Sequence, residues 1–166
     1  MIKKINLLFV TFFGTGYIKF ASGTFASLFT SIIFFYLFRS FITIKIFQIL
    51  CLLFLFILIY SLFAISNLKN HFIEVDAKQI VIDEVLGQSI PILAFEYFIY
   101  LKTQTFGADL NLYIFSFLVF RFFDIFKPFP ISYFDKNYKN SFGIIFDDIL
   151  AGIYTLIAVL LLIQFF

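Results

Sequence analysis

Residues Ile46 to Ser66 read IFQILCLLFLFILIYSLFAIS, twenty-one residues without a charge. At about 1.5 Å per residue a helix of this length spans about 30 Å, the hydrocarbon thickness of a bilayer. A soluble chain would have to hide every face of such a helix. With 166 residues, 63% of them hydrophobic and 13% charged, this one has too little polar surface to do so. The run therefore predicts an all-α, polytopic membrane helical bundle, built as a single domain over residues 1–166.

The other segments follow from the same constraint. Ile149 to Phe166 is a second uncharged stretch, with Asp147 and Asp148 at its head. Phe25 to Phe38 is shorter and is expected to extend back toward Thr24 or forward past Arg39, whose long side chain can reach the interface. Val85 to Leu101 carries Pro91 and Glu96, and Leu110 to Phe126 carries Arg121 and Asp124. Both are expected as helices that are buried, partly inserted or broken rather than simple spans. Residues 5–13 read as a short amphipathic or re-entrant piece, with no convincing signal-peptide cleavage site after them. The chain contains no internal repeat.

Several function classes drop out. The net charge of +2 is scattered without a basic, aromatic-flanked groove, so nucleic acid is not an expected partner. Cys51 is the only cysteine and lies inside the apolar run, as a packing or lipid-facing residue. His71 is the only histidine. It reads as an exposed loop residue, and its solitude excludes both a His-rich zinc site and a mechanism that needs two histidines. No obligate protein partner is evident.

Sidedness brings the polar residues together. With the N-terminus inside and alternating spans, Lys3, Lys4, Lys19, Lys69, Lys78, Lys127, Lys136 and Lys139 lie inside, and Arg39, Lys45 and Lys102 outside. Eight against three agrees with the positive-inside tendency. Thr24, Asp83–Glu84, the end of the Arg121 helix and Asp147–Asp148 then share the cytoplasmic interface.

Carboxylates so close repel unless a cation lies among them, and hard oxygen ligands suit Mg²⁺. The bland reading of each acidic pair is a helix start, where the dipole favours negative charge. RFFDIFKP puts Arg121, Asp124 and Lys127 at helical spacing. They form either an internal salt bridge or a phosphate clamp, in which the Arg fork holds two oxygens and the Lys neutralises a third. Ser22 or Thr24 either caps the next helix or helps its N–H groups hold an anion. Gly87 and Gly152 each follow an acidic residue by four positions, where small residues let helices approach.

Three blocks carry a resemblance: ASGTFASL at 21–28, VDAKQIVIDEVLG at 75–87 and FRFFDIFKPFPISYFDKNYKNSFGIIFDDILAG at 120–152. In this order they resemble the bacterial phosphatidylglycerophosphatase A family. The resemblance implies a Mg²⁺-dependent enzyme of the bacterial inner membrane, with its active site on the cytoplasmic face, that releases the terminal phosphate of phosphatidylglycerophosphate among membrane lipid. It implies Glu84, Arg121, Asp124, Lys127 and Asp148 as catalytic residues, and Asp83, Asp124, Asp147 and Asp148 as metal ligands. Thr24 and Asp76, with Arg121 and Lys127, would bind or support the phosphate. The alternatives are a membrane phosphatase for another lipid phosphate or diphosphate, and a non-enzymatic ion-coupled transporter, for which Glu96 and Arg121 would be the intramembrane charges.

Overall fold

The computed structural model describes residues 2–40, 42–68 and 78–165, and among these it forms helices and no strand. In chain order they are α1 (Ile2–Val10), a 3-10 turn (Thr15–Tyr17), α2 (Ser22–Arg39), α3 (Ile44–Asn67), α4 (Ile82–Thr103), α5 (Leu110–Phe126), α6 (Ile131–Asn137) and α7 (Ser141–Phe165). Among the described residues, three stretches are long and apolar enough to cross a membrane: α2, α3 and Ser141–Gln164 of α7. His71 and Asp76 lie outside the described residues.

Hydropathy and burial run in opposite order, as a bilayer solvent requires. The most apolar span, α3, is the least covered by its neighbours. Side chains such as Ile49, Leu52, Phe56 and Ile59 project from it at 62–68% exposure, a surface suited to lipid. In contrast, α4 carries Gln88, Ser89 and Glu96, all buried, and sits at the centre of the bundle against α2, α5 and α7. Such groups are costly in lipid and must find partners inside protein. Glu96 finds three: the N–H groups of Gly107 and Ala108 donate to it at 2.8 and 2.9 Å, and the Tyr113 hydroxyl at 2.6 Å. Glu96 thus pins the turn between α4 and α5. Its acceptor capacity is used structurally, which removes the intramembrane carboxylate on which the transporter reading leaned.

Several boundaries differ from expectation for local reasons. Helix α7 starts at Ser141, eight residues before the predicted Ile149, so Asp147 and Asp148 lie inside it rather than at its head. Asn140 starts it, its side-chain oxygen accepting from Gly143 N–H at 2.9 Å. Neither Ser22 nor Thr24 caps α2. Ala21 holds the N-cap position in the left-handed region without a side-chain hydrogen bond. Helix α5 ends at Phe126 as expected. Pro128 disfavours the right-handed helical conformation in the residue before it, so the helix stops, and Lys127 takes up a left-handed conformation at φ 42°.

The largest helix pair is α4 with α7, and two glycines make it. A Cβ on Gly152 would overlap the Gly87 carbonyl, and one on Gly87 would meet the Asp148 carbonyl at 2.6 Å. Pro91, four residues after Gly87, has no N–H to bond that carbonyl within the helix, so it is free to lie against α7. The crossing predicts a sharp asymmetry. Gly152→Ala should destabilise the detergent-solubilised protein by about 1–3 kcal/mol, as overpacking does. Ile153→Ala, on the exposed side of the same turn, should cost less. Equal unfolding midpoints for the two variants would contradict a backbone-tight crossing.

Candidate metal and phosphate site

The start of α2, the start of α4, the end of α5 and the first third of α7 meet at one end of the bundle. There they bound a cavity of about 960 Å³. Its outer wall is the stretch from Gly16 to Gly23, clasped to the segment before α4. The Ser22 hydroxyl donates to the Lys78 carbonyl at 2.9 Å, and Gly16 lies against the Gln79 carbonyl, where any Cβ would overlap. Val81 N–H donates to the Val10 carbonyl at 3.0 Å, tying α1 to the same wall.

Among the described residues, five carboxylates face this cavity: Asp83, Glu84, Asp124, Asp147 and Asp148. Three lysines face it with them: Lys19, Lys78 and Lys127. The charge balance is therefore negative before any ligand enters. Asp83, Glu84 and Asp148 form the tightest group, each with an oxygen within 4.8 Å of the others. Asp83 and Glu84 occupy the first turn of α4, where the helix dipole favours them, so the bland reading of that pair holds in part. It does not hold for Asp147 and Asp148, which lie beyond the first turn of α7 and are 5% and 4% exposed.

The remaining acids have cationic partners. Asp124 lies 2.6 Å from Arg121 Nη1, and Asp147 lies 2.6 Å from Lys127 Nζ. Lys127 also reaches Asp135 of α6 at 2.7 Å. Burial opposes the charge on Lys127, but Asp147 and Asp135 outweigh it and raise its pKa above the usual lysine value. At Asp135 partial burial is likewise outweighed, here by Lys127, and the pKa is lowered. The Arg121 contact is close but poorly aligned: its Nε and Nη1 are buried without a well-directed acceptor. Asp147 Oδ1 and Glu84 Oε2 are buried acceptors that also lack a hydrogen-bond partner. Buried polar groups normally find partners, so these atoms mark a site arranged around something that enters it.

Of the residues expected from sequence, the fold thus gathers Asp83, Glu84, Asp124, Lys127, Asp147 and Asp148 on one cavity. Arg121 stands behind Asp124 rather than on the cavity wall. Thr24 lies one residue past the lining glycine, and Asp76 is outside the described residues. Sequence reasoning missed Lys19 and Lys78 as lining residues and Asp135 as a partner of Lys127. The two lysines entered it only as inside charges, although Lys19 lies just before the 21–28 block and Lys78 within the 75–87 block.

The family model described as phosphatidylglycerophosphatase A matches residues 8–163. The chain belongs to that family. It is 61% identical over 44 residues to a phosphatidylglycerophosphatase A of Haemophilus influenzae, covering 26% of this chain and 27% of that one. It is 37% identical over 78 residues to one of Escherichia coli, covering 47% of this chain and 40% of that one. A Bacteroides thetaiotaomicron protein, named provisionally as a phosphatidylinositol-3-phosphatase, is 30% identical over 159 residues, 93% of this chain and 91% of its own. The Haemophilus and Escherichia relatives are therefore matched over less than two thirds of their lengths. No solved structure matches the chain.

The Lys127–Asp135 pair has a defined pH window. Asp135 has a lowered pKa in the folded state, so its contribution is present above its unfolded value of about 3.9 and lost as the pH falls through the folded value. Lys127, raised, keeps its charge up to and beyond about pH 10.4. Asp135→Asn should therefore cost a constant increment between pH 5 and 9, at most about 1 kcal/mol for so exposed a pair. The increment should shrink below about pH 4. Thermal unfolding across that range measures it, and an increment that vanishes near neutrality would refute the assignment.

Proposed function

We propose that this protein is a Mg²⁺-dependent lipid phosphatase that hydrolyses the terminal phosphomonoester of phosphatidylglycerophosphate, giving phosphatidylglycerol and phosphate. The observation that carries the reading is the acidic cavity at one end of an apolar bundle, in a chain of this family. A lipid phosphate presents its head group at the interface, where such a cavity can receive it without extracting the lipid. The Bacteroides relative supports a second head group, a phosphorylated inositol, on the same chemistry.

The residues present fit a hard divalent cation. Asp83, Glu84 and Asp148 would hold it, since their oxygens are already within 4.8 Å of one another and their mutual repulsion needs relief. When bound, Mg²⁺ supplies charge neutralisation at the phosphate and lowers the pKa of a bound water. The protein's own groups do the rest. Lys127, held charged between Asp147 and Asp135, offers its ammonium to a phosphoryl oxygen. Arg121 holds Asp124 toward the cavity and has buried N–H groups left to donate to phosphate. Glu84 Oε2, buried and unpartnered, is the acceptor for the proton of the attacking water. The P–O ester bond breaks as the water oxygen bonds phosphorus, and the leaving alkoxide takes up the proton that Glu84 accepted.

Phosphate release from phosphatidylglycerophosphate, with and without chelator, tests the reading directly. Activity should vanish in chelator and return with Mg²⁺, and phosphatidylinositol 3-phosphate should be the poorer substrate. Full turnover in a metal-free preparation would reject the metal, and a reversed head-group preference would favour the second reading.

The Arg121–Asp124 contact separates a clamp from a structural pair. If Arg121 grips phosphate, Arg121→Ala should cut turnover roughly 10²–10³-fold, about 2.7–4 kcal/mol, by analogy with loss of an oxyanion donor. Arg121→Lys should also be damaging. The double variant with Asp124→Ala should stay inactive. Rescue in a folded double variant would mean that Arg121 serves only to neutralise Asp124.

The excess of lysines at the cavity end supports a cytoplasmic orientation for that end. Lys136→Cys should then be labelled in intact cells only by reagents that cross the membrane, and labelling by an impermeant thiol reagent would reverse the orientation.

A further inference from the structure

A second, apolar cavity of about 300 Å³ lies between α2 and α5. Its two walls lead to the polar site. On α5 the lining residues Leu110, Tyr113, Ile114 and Phe117 fall at spacings of three and four, and the same stripe continues to Arg121 and Asp124. On α2, Leu28, Ser31, Ile32, Phe35 and Tyr36 form a stripe whose next residue toward the site is Thr24. The start of α2 and the end of α5 both belong to the site end, so the helices run antiparallel. The groove thus begins one helical turn beneath Thr24 and Arg121.

Its dimensions fit one leaflet. From Thr24 to Leu28 is about 6 Å along the helix, and from Leu28 to Tyr36 about 12 Å more. One leaflet of hydrocarbon is about 15 Å deep, half the core thickness. The groove cannot close by collapse, because its floor is fixed. Tyr113 is 3% exposed with its hydroxyl spent on Glu96, and Ser31 is 5% exposed with its hydroxyl spent on the Ser27 carbonyl. Phe35 stands edge-on to Tyr113 at 5.3 Å. No polar group of the floor therefore needs water. The rims are open: Ile32 and Ile114 are 42% and 47% exposed, so a chain can enter sideways from the bilayer.

We propose that the α2–α5 groove seats an acyl chain of the same lipid whose phosphate occupies the acidic cavity. The proposal rests on the lipid-phosphatase reading and adds to it a binding surface within the membrane. Thr24, one turn above Leu28, then stands at the junction of head group and chain. Binding energy from the chain would hold the phosphate in register with Arg121 and Lys127, so the enzyme would act on a lipid better than on its free head group.

The absence of tryptophan from the chain makes a direct test possible. Phe117→Trp places a reporter in the groove, and Leu52→Trp places one on the lipid-facing side of α3, where the native side chain is 66% exposed. The probe is a phosphonate analogue of phosphatidylglycerophosphate with brominated acyl chains, present as a minor component of an unbrominated phosphatidylcholine bilayer. Quenching should be several-fold stronger at the groove reporter than at the α3 reporter, and should fall when unbrominated analogue competes. Equal quenching at both positions would mean that bulk lipid or a second copy of the chain fills the groove, and would overturn the proposal. Kinetics give an independent reading. Filling the groove with Ile32→Trp and Ile114→Trp together should raise KM for the long-chain lipid about tenfold, the scale of losing one or two methylene contacts. Hydrolysis of an acyl-free glycerol phosphate should be unchanged. A filled groove with unaltered KM for the long-chain lipid would also overturn it. If the unsubstituted protein releases no phosphate from any lipid, the phosphatase reading fails instead, and the quenching comparison still decides whether the groove holds an acyl chain.

Discussion

The close crossing of α4 and α7 is the constraint on which the rest depends. Gly87 and Gly152 remove the side chains that would hold the two helices apart, and Pro91 leaves the Gly87 carbonyl free to lie in the contact. One turn away, the same approach forces Asp83 and Glu84 of α4 toward Asp148 of α7. Bringing like charges together is unfavourable, and the tight packing of the crossing is what offsets it. The acidic group is therefore a consequence of helix packing, held in place by backbone rather than by flexible side chains.

Around that group the charges are sorted by partner. Asp124 and Asp147 each have a cation at 2.6 Å, whereas Asp83, Glu84 and Asp148 are left facing one another. Lys127 owes its place to a backbone detail, the left-handed residue that ends α5 before Pro128. That turn carries its ammonium away from the helix, across to Asp147 on α7 and Asp135 on α6. One lysine thus locks three elements around the mouth of the site. The two halves of the bundle are also treated differently. The polar end keeps unpartnered acceptors, while at the far end Glu96 has each of its oxygens satisfied. An ionisable residue within the bundle is not by itself a functional one; its hydrogen-bond account decides.

Much of this was legible in the residues alone. Hydropathy determined the all-α membrane bundle, because an uncharged run of bilayer length has few other stable environments. Turn chemistry determined the end of α5, and the bias of lysines over the helix ends by itself brings Asp83, Glu84, Asp124 and Asp147–Asp148 to one end of the bundle. The glycines four residues past Asp83 and Asp148 announced a close helix contact, since small residues on a membrane helix let a neighbouring backbone approach.

What the linear pattern did not determine is which groups touch. It placed Asp147 and Asp148 at the head of the last helix, because a charge looks like a boundary in a hydropathy profile; the helix began at Asn140, whose cap is a local hydrogen bond. It treated Arg121, Asp124 and Lys127 as one face, yet Lys127 leaves that face for Asp135 and Asp147. It counted Lys19 and Lys78 as topology markers and missed that their segments form the cavity wall. Composition and periodicity act through solvent, so they determine which medium each helix occupies. Pairing acts over a few ångströms between residues far apart in the chain, so only the tertiary structure decides it.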